Sequence, residues 1–205
     1  AGALDEAKKV LEELKQVHPE SQLGMIRGGD IFVAEGQLDD AMQSYARAWS
    51  IEVDDRLGQK LYEVYQQLDE SEKASQLLAE WRAAIPMSVP AMVNHAIQLA
   101  ANDSVEAALA AYEEFLKVRP GSIVIKNNLA WLYLESGRYN KAVEVSKEAH
   151  ELMPTGGAVA DTYGWALYKK GDIAEAISVL RLAVKLLPND KIQAHLDEAL
   201  STEKN

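Results

Sequence analysis

Apolar residues recur along the chain with the spacing of helices rather than strands. In residues 161–190, "DTYGWALYKKGDIAEAISVLRLAVKLLPND", two runs of helical periodicity are separated by Gly171 and closed by Pro188. The apolar positions of the first run cover more than one stripe of a helix, so this helix must face more than one neighbour. The pattern therefore predicts an all-α protein built from paired helices.

The prolines divide the chain into segments of equal length. From residue 86 onward four prolines stand 34 residues apart, at Pro86, Pro120, Pro154 and Pro188, and Pro90 lies off this spacing. Pro19 precedes Pro86 by 67 residues, which is two steps, and Val53 occupies the intermediate position. A proline just past a helix prevents its continuation because proline lacks the backbone N–H. The spacing predicts a tandem array in which each unit is a pair of helices with its turns.

Small residues keep the same period. Gly36, Gly137 and Gly171 follow the first helix of their units, where a left-handed backbone ends a helix. A second series allows paired helices to approach closely, and its members are Gly29, Ala96, Ala130 and Gly164. In the middle of the chain aspartate replaces the turn glycine and an aromatic residue replaces a small one, at Asp69, Trp81, Asp103 and Phe115. We expect the helices of those two units to be splayed.

This pattern resembles the tetratricopeptide repeat (TPR). The motif positions in residues 123–156 are Leu129, Ala130, Tyr133, Gly137, Tyr139, Ala142, Ala149 and Pro154. In residues 157–190 they are Gly164, Leu167, Gly171, Ala176, Leu180, Ala183 and Pro188. The resemblance implies a right-handed α-solenoid over residues 1–205, with full repeats at 22–54, 55–88, 89–122, 123–156 and 157–190.

The two ends of the array differ. Residues 1–21 match only a second helix and its closing proline, and their apolar stripe normally contacts the first helix as well. We expect the chain to be a fragment of a longer array. Residues 191–205 carry one apolar stripe with charged residues opposite, which is typical of a terminal capping helix.

Composition excludes several classes of partner. Acidic residues outnumber basic ones 32 to 21, and the net charge of −11 opposes binding to nucleic acid. No apolar run is long enough to insert into a membrane, and the absence of cysteine excludes disulfides and thiolate metal sites. The four histidines show no metal-ligand spacing. We therefore expect no catalytic residues, no metal and no cofactor.

A concave groove is the expected binding surface, because the first helix of each repeat lines that face in a stacked array. Asp161, Trp165 and Tyr168 project from one such helix. The equivalent positions one repeat earlier are Asn127, Trp131 and Leu134, and those two repeats earlier are Val93, Ile97 and Ala100. Asn94 and Asn128 form a further aligned pair. Aromatic anchors and amides suit a peptide partner, with Asp161 as a charge selector. The alternative is that both tryptophans only complete packing between repeats.

A second hypothesis concerns a basic cluster. TPR domains that bind chaperone tails hold the terminal carboxylate with lysine, arginine and asparagine side chains, and in the last three repeats only Asn128 matches that set. Arg56 and Lys60 match its basic pair, and Arg27 lies one repeat earlier. These three residues form a candidate site for an acidic ligand. Solvated surface charges are the alternative.

The function predicted by these features is a non-catalytic scaffold that binds a protein or peptide. Two alternatives stay open: a polysaccharide-handling module whose tryptophans stack on sugars, and an array that associates with itself, so the oligomeric state is open. "NNLAWLYLESG", "DTYGWALYKKGD" and "LLPND" also resemble the C-terminal end of bacterial TPR lipoproteins associated with exosortase sorting and exopolysaccharide production. That resemblance implies the cell envelope or periplasm; otherwise the expected location is the cytoplasm.

Overall fold

The computed structural model describes residues 2–102 and 104–203, which form twelve α-helices and no strand. Asp103, predicted to replace a turn glycine, lies outside the described residues, as do the terminal residues 1, 204 and 205. The helices are α1 (Gly2–Val17), α2 (Gln22–Ala34), α3 (Leu38–Trp49), α4 (Asp55–Gln67), α5 (Ser71–Ala84), α6 (Val89–Ala101), α7 (Val105–Val118), α8 (Ile123–Glu135), α9 (Tyr139–Leu152), α10 (Gly157–Lys170), α11 (Ile173–Leu186) and α12 (Asp190–Glu203).

Each predicted full repeat contains two of these helices joined by a short turn. The turn residue is left-handed in four repeats, with φ of 74° at Gly36, 72° at Gly137, 102° at Gly171 and 56° at Asp69. Aspartate tolerates this backbone better than most residues because its short polar side chain can hydrogen-bond locally. The replacement of glycine by Asp69 therefore leaves the turn geometry intact.

Glycines allow bulky side chains to sit between paired helices. A Cβ on Gly58 would lie 2.7 Å from the ring of Trp81, and a Cβ on Gly164 would lie 2.7 Å from Cγ of Leu180. Trp81 is fully buried, and its indole N–H donates to Asp55 Oδ1 at 2.9 Å. Glycine on the facing helix thus makes room for the tryptophan at a position where the repeat pattern favours a small residue. Helices α4 and α5 approach each other over less of their length than α2 and α3 do.

The chain divides into two compact units, and the single array over residues 1–205 stays a prediction. Unit 1 ends at Asn94 and unit 2 begins at His95, so each includes part of α6. The most deeply buried side chains of unit 1 include Leu57, Leu61 and Trp81, and those of unit 2 include Ile125 and Leu180. Within the described ranges, every helix is too short or too polar to cross a bilayer.

Candidate binding cleft and aromatic row

An open cleft of about 470 Å³ lies in unit 2 between α6 and α8, both first helices of their repeats. The lining residues on α6 include the small side chains of Ala96 and Ala100, and those on α8 include larger ones such as Trp131. Buried Tyr112 of α7 also lines the cleft, and its burial raises the pKa of the phenol to about 12, so the hydroxyl stays neutral. The lining residues are Ala96, Ile97, Ala100, Ala101, Tyr112, Asn128, Trp131, Leu132 and Glu135.

Two large apolar side chains of the cleft remain accessible to solvent. Ile97 is 56% exposed, and Trp131 is partly exposed. Burying such surface against a partner is favourable by about 25 cal/mol per Å². Asn128 adds an amide that makes no side-chain hydrogen bond with any described residue, so it can pair with a peptide backbone. The cleft therefore combines apolar anchoring area with a free polar group.

An aromatic row continues from the cleft across unit 2; it consists of Trp131, His195, Trp165 and Tyr168. The imidazole of His195 stacks on Trp165, with ring centroids 4.1 Å apart, and lies 6.1 Å from Trp131 in a tilted arrangement. Trp165 also stacks on Tyr168 at 5.0 Å. The two tryptophans are thus connected through a histidine from α12.

Asp161 holds this histidine in place. Its carboxylate is buried, and Nδ1 of His195 donates to Oδ1 at 2.7 Å. Further along α12, the hydroxyl of Thr202 lies 3.1 Å from that of Tyr168. The carboxylate of Asp161 is therefore occupied within the chain, which weakens its predicted role as a charge selector for a partner.

Lysine ammonium groups cover the ends of the aromatic row. Lys191 Nζ lies 4.5 Å from the ring centroid of Trp131. Lys169 Nζ lies 4.2 Å from that of Trp165 and also reaches Glu198 at 3.4 Å. Trp165 thus contacts a histidine, a tyrosine and a lysine, which leaves little of its ring for a ligand. Trp131 borders the open cleft and is the more available of the two predicted anchors.

The three predicted asparagines lie in different environments. Asn128 lines the cleft, whereas Oδ1 of Asn127 is buried and without a hydrogen-bond partner among the described residues. Asn94 belongs to unit 1, where its amide donates to Gln59 Oε1 at 2.8 Å. Of these amides, the structure brings only Asn128 together with Trp131 at the cleft.

The predicted basic cluster lies in unit 1 and contains a carboxylate that repeat periodicity did not indicate. Lys60 Nζ lies 2.7 Å from Asp30 Oδ1, and Arg27 lies 3.5 Å from Oδ2 of the same residue. The hydroxyl of Tyr45 also donates to Asp30 at 2.7 Å. Arg56 is exposed, and no ion pair joins its side chain to this group among the described residues. Two of the three cations therefore already share one carboxylate of the chain.

Asp30 is stabilised in its charged form. Burial alone would raise the pKa of this carboxyl, but hydrogen bonds from Lys60 and Tyr45 and the charges of Lys60 and Arg27 outweigh it and hold the pKa below its usual value. Burial and the neighbouring carboxylate in turn raise the pKa of Tyr45. An acidic ligand would have to displace this internal partner, which counts against the predicted acidic-ligand site.

The short sequence spacings that indicate metal ligands do not reveal the role of His195. The informative sequence spacing is the length of one repeat. Asp161 and His195 are 34 residues apart, as are Tyr168 and Thr202. Extending the 34-residue spacing of the prolines by one repeat would place α12 beside α10. The same spacing would pair Asp161 with His195 and Tyr168 with Thr202. Among the described residues, no group of three histidine, aspartate or glutamate side chains could hold a metal ion.

Comparison with known proteins identifies the repeats. Two family models, both described as tetratricopeptide repeat, match residues 93–153 and 133–200. A TPR repeat-containing protein of Pseudomonas aeruginosa is 28% identical over 198 residues, covering 93% of this chain and 33% of that protein. Small glutamine-rich tetratricopeptide repeat-containing protein 2 of Mycosarcoma maydis is 27% identical over 86 residues, covering 42% of this chain and 24% of that protein. The chain thus spans a third or less of either relative.

Solved structures confirm the predicted fold class. A tetratricopeptide repeat protein from Parabacteroides merdae matches 99% of this chain and 81% of its own, with a TM-score of 0.74 at 17% identity. Yeast Tom70 matches 95% of this chain and 43% of its own, with a TM-score of 0.77 at 13% identity. These neighbours establish an all-α TPR solenoid.

Proposed function

We propose, on the premise that this chain carries tetratricopeptide repeats, that it is a protein-interaction module which binds a peptide segment of its partner in the cleft of unit 2. TPR folds generally mediate protein–protein interactions, and TPR proteins are generally non-catalytic scaffolds. The finer proposal concerns the place of binding. It rests on one observation, the pairing of exposed Ile97 and partly exposed Trp131 across an open cleft.

The residues of the cleft take separate roles in this proposal. Ile97 and Trp131 enclose an apolar side chain of the partner, because Ala96 and Ala100 leave room for it between the helices. Asn128 pairs with the partner's backbone. Trp165 and Asp161 act indirectly. They fix the position of His195, which is the neighbour of Trp131 in the aromatic row.

The other hypotheses receive less support. A sugar-stacking role needs open indole faces, and Trp165 is already in contact with His195, Tyr168 and Lys169. The names of the relatives given above mention neither exosortase sorting nor exopolysaccharide, so the narrower lipoprotein origin and its periplasmic setting gain no support from them. The peptide-binding proposal requires neither sugar binding nor a periplasmic location.

A peptide selection tests the proposal and does not require an identified partner. A phage-displayed library of random peptides is selected on the immobilised chain, and the strongest binder is synthesised with a fluorescent label. We expect Trp131→Ala and Ile97→Ser each to weaken its binding at least about tenfold, equivalent to about 1.4 kcal/mol. Fluorescence anisotropy gives the Kd, and circular dichroism verifies that helicity is retained.

Val118→Ser is the matched control, because Val118 is 68% exposed and lies outside the cleft. It should leave peptide affinity unchanged. Failure to select any binder, or a binder whose affinity survives Trp131→Ala in a folded protein, would refute the proposed site.

A further inference from the structure

One end of the cleft carries a carboxylate that makes no ion pair with any described residue. Of the described residues that line the cleft, Glu135 alone is charged. Its exposed carboxylate makes no ion pair or hydrogen bond with any described residue. It is also the last residue of α8, where the negative end of the helix dipole makes a further negative charge unfavourable.

The second helix of the cleft adds to this potential. Ala100 and Ala101 line the cleft at the C-terminal end of α6, and neither α6 nor α8 has a basic residue in its last turn. Helix α10 differs, because Lys169 and Lys170 occupy its last turn. The cleft is thus bordered by two helix C-termini and a carboxylate, an arrangement that favours a bound cation.

Trp131 lies beside this carboxylate and supplies apolar area next to it. It lies four residues before Glu135, so both side chains project from one face of α8 about one turn apart. The ammonium of Lys191 already lies 4.5 Å from the centroid of this ring, so the indole offers apolar area and Glu135 is the group left to pair with the partner's cation. The chain's net charge of −11 would also attract a basic partner over longer distances.

We propose that the segment bound in this cleft carries an arginine or lysine next to the apolar residue that fills it. The basic group pairs with Glu135 and faces the C-terminal carbonyls of α6 and α8, while Trp131 contacts the apolar residue beside it. This inference rests on the proposed function and specifies its partner as a basic, apolar peptide.

The test compares peptide selections on three forms of the full chain. These are the natural sequence, Glu135→Lys, and Glu151→Lys, a control with the same change of net charge at an exposed position of α9 outside the cleft. We expect arginine and lysine to be enriched beside an apolar residue among peptides selected on the natural sequence and on Glu151→Lys. On Glu135→Lys that enrichment should disappear. For one selected basic peptide, Glu135→Lys should raise the Kd at least about tenfold, and added salt should weaken binding to the natural sequence more than to Glu135→Gln.

The outcomes separate this inference from the proposed function. If binding requires Trp131 but the enrichment of basic residues is the same on Glu135→Lys, or if acidic peptides are selected, the basic partner is refuted and the cleft remains. If binding is indifferent to Trp131→Ala, the cleft itself is refuted, and this inference falls with it.

Discussion

Unit 1 places its tryptophans, Trp49 and Trp81, on second helices of repeats, whereas unit 2 places Trp131 and Trp165 on first helices. The first pair is buried, with ring centroids 6.2 Å apart in an edge-to-face contact. Their indole N–H groups donate to carboxylates, Trp49 to Glu80 at 3.4 Å and Trp81 to Asp55 at 2.9 Å. The second pair is partly exposed and connected by a histidine.

This contrast shows that two tryptophan pairs of the same chain differ in burial according to the helix that carries them, the first or the second of a repeat. A second-helix indole sits between helices and satisfies its N–H internally, so it contributes to stability. The first-helix indole of Trp131 borders the cleft that we propose as the binding site. Charge follows the same division, because Asp30 in unit 1 is surrounded by its own cations while Glu135 in unit 2 has none among the described residues.

The largest expected effect separates the two tryptophan pairs. Trp81→Ala removes a fully buried ring and should lower the free energy of unfolding by about 3–5 kcal/mol. Trp131→Ala should lower it by roughly 1 kcal/mol, because part of that ring is already in water. Urea denaturation followed by circular dichroism measures both. Equal losses would show that Trp131 is a packing residue of the same kind.

An intermediate effect compares a close-packed glycine of unit 2, Gly164, with an uncrowded glycine of unit 1, Gly28. Gly164→Ala places a Cβ 2.7 Å from Leu180 Cγ and 3.1 Å from its backbone nitrogen, and should cost about 1–3 kcal/mol of stability. Gly28→Ala is the matched change, since its Cβ would meet nothing nearer than 3.7 Å. It should raise stability by up to about 1 kcal/mol through helix propensity. Thermal unfolding measures both, and a stabilising Gly164→Ala would contradict the close packing.

The smallest expected effect concerns the stability of the protein at acidic pH. Because the folded protein lowers the pKa of Asp30, this residue contributes stability above its unfolded pKa and loses it as the pH falls through the folded value. The Tm difference between the natural sequence and Asp30→Asn should therefore be constant near neutral pH and shrink below about pH 4. A difference that does not vary with pH would mean that the contacts of Asp30 are independent of its charge.

Sequence periodicity was sufficient to predict the helices and the turns between them. Prolines at 34-residue steps and left-handed glycines such as Gly171 are local signals, and each acts within its own helix pair. The close contact of Gly164 with Leu180 follows from the same repeat pattern. Asp69 shows the limit of this approach, since another residue type meets the same backbone requirement.

The candidate site was less accessible from the sequence. Trp131 and Asn128 were predicted from their repeat positions, but whether a ring is covered depends on long side chains such as Lys169 and Lys191. The neutralisation of Lys60 by Asp30 also depends on side-chain reach between different helices. Repeat periodicity places residues on a face and does not say which of them neutralise one another's charge.

The stacking of His195 on Trp165 has a spectroscopic consequence. The imidazole belongs to α12 and the indole to α10, and their ring centroids are 4.1 Å apart, so we expect the emission of Trp165 to change when this contact is lost. The fluorescence emission of Trp165 should therefore report whether α12 is packed against α10. The protein carries its own optical reporter of the order of its C-terminal helix, without any added label.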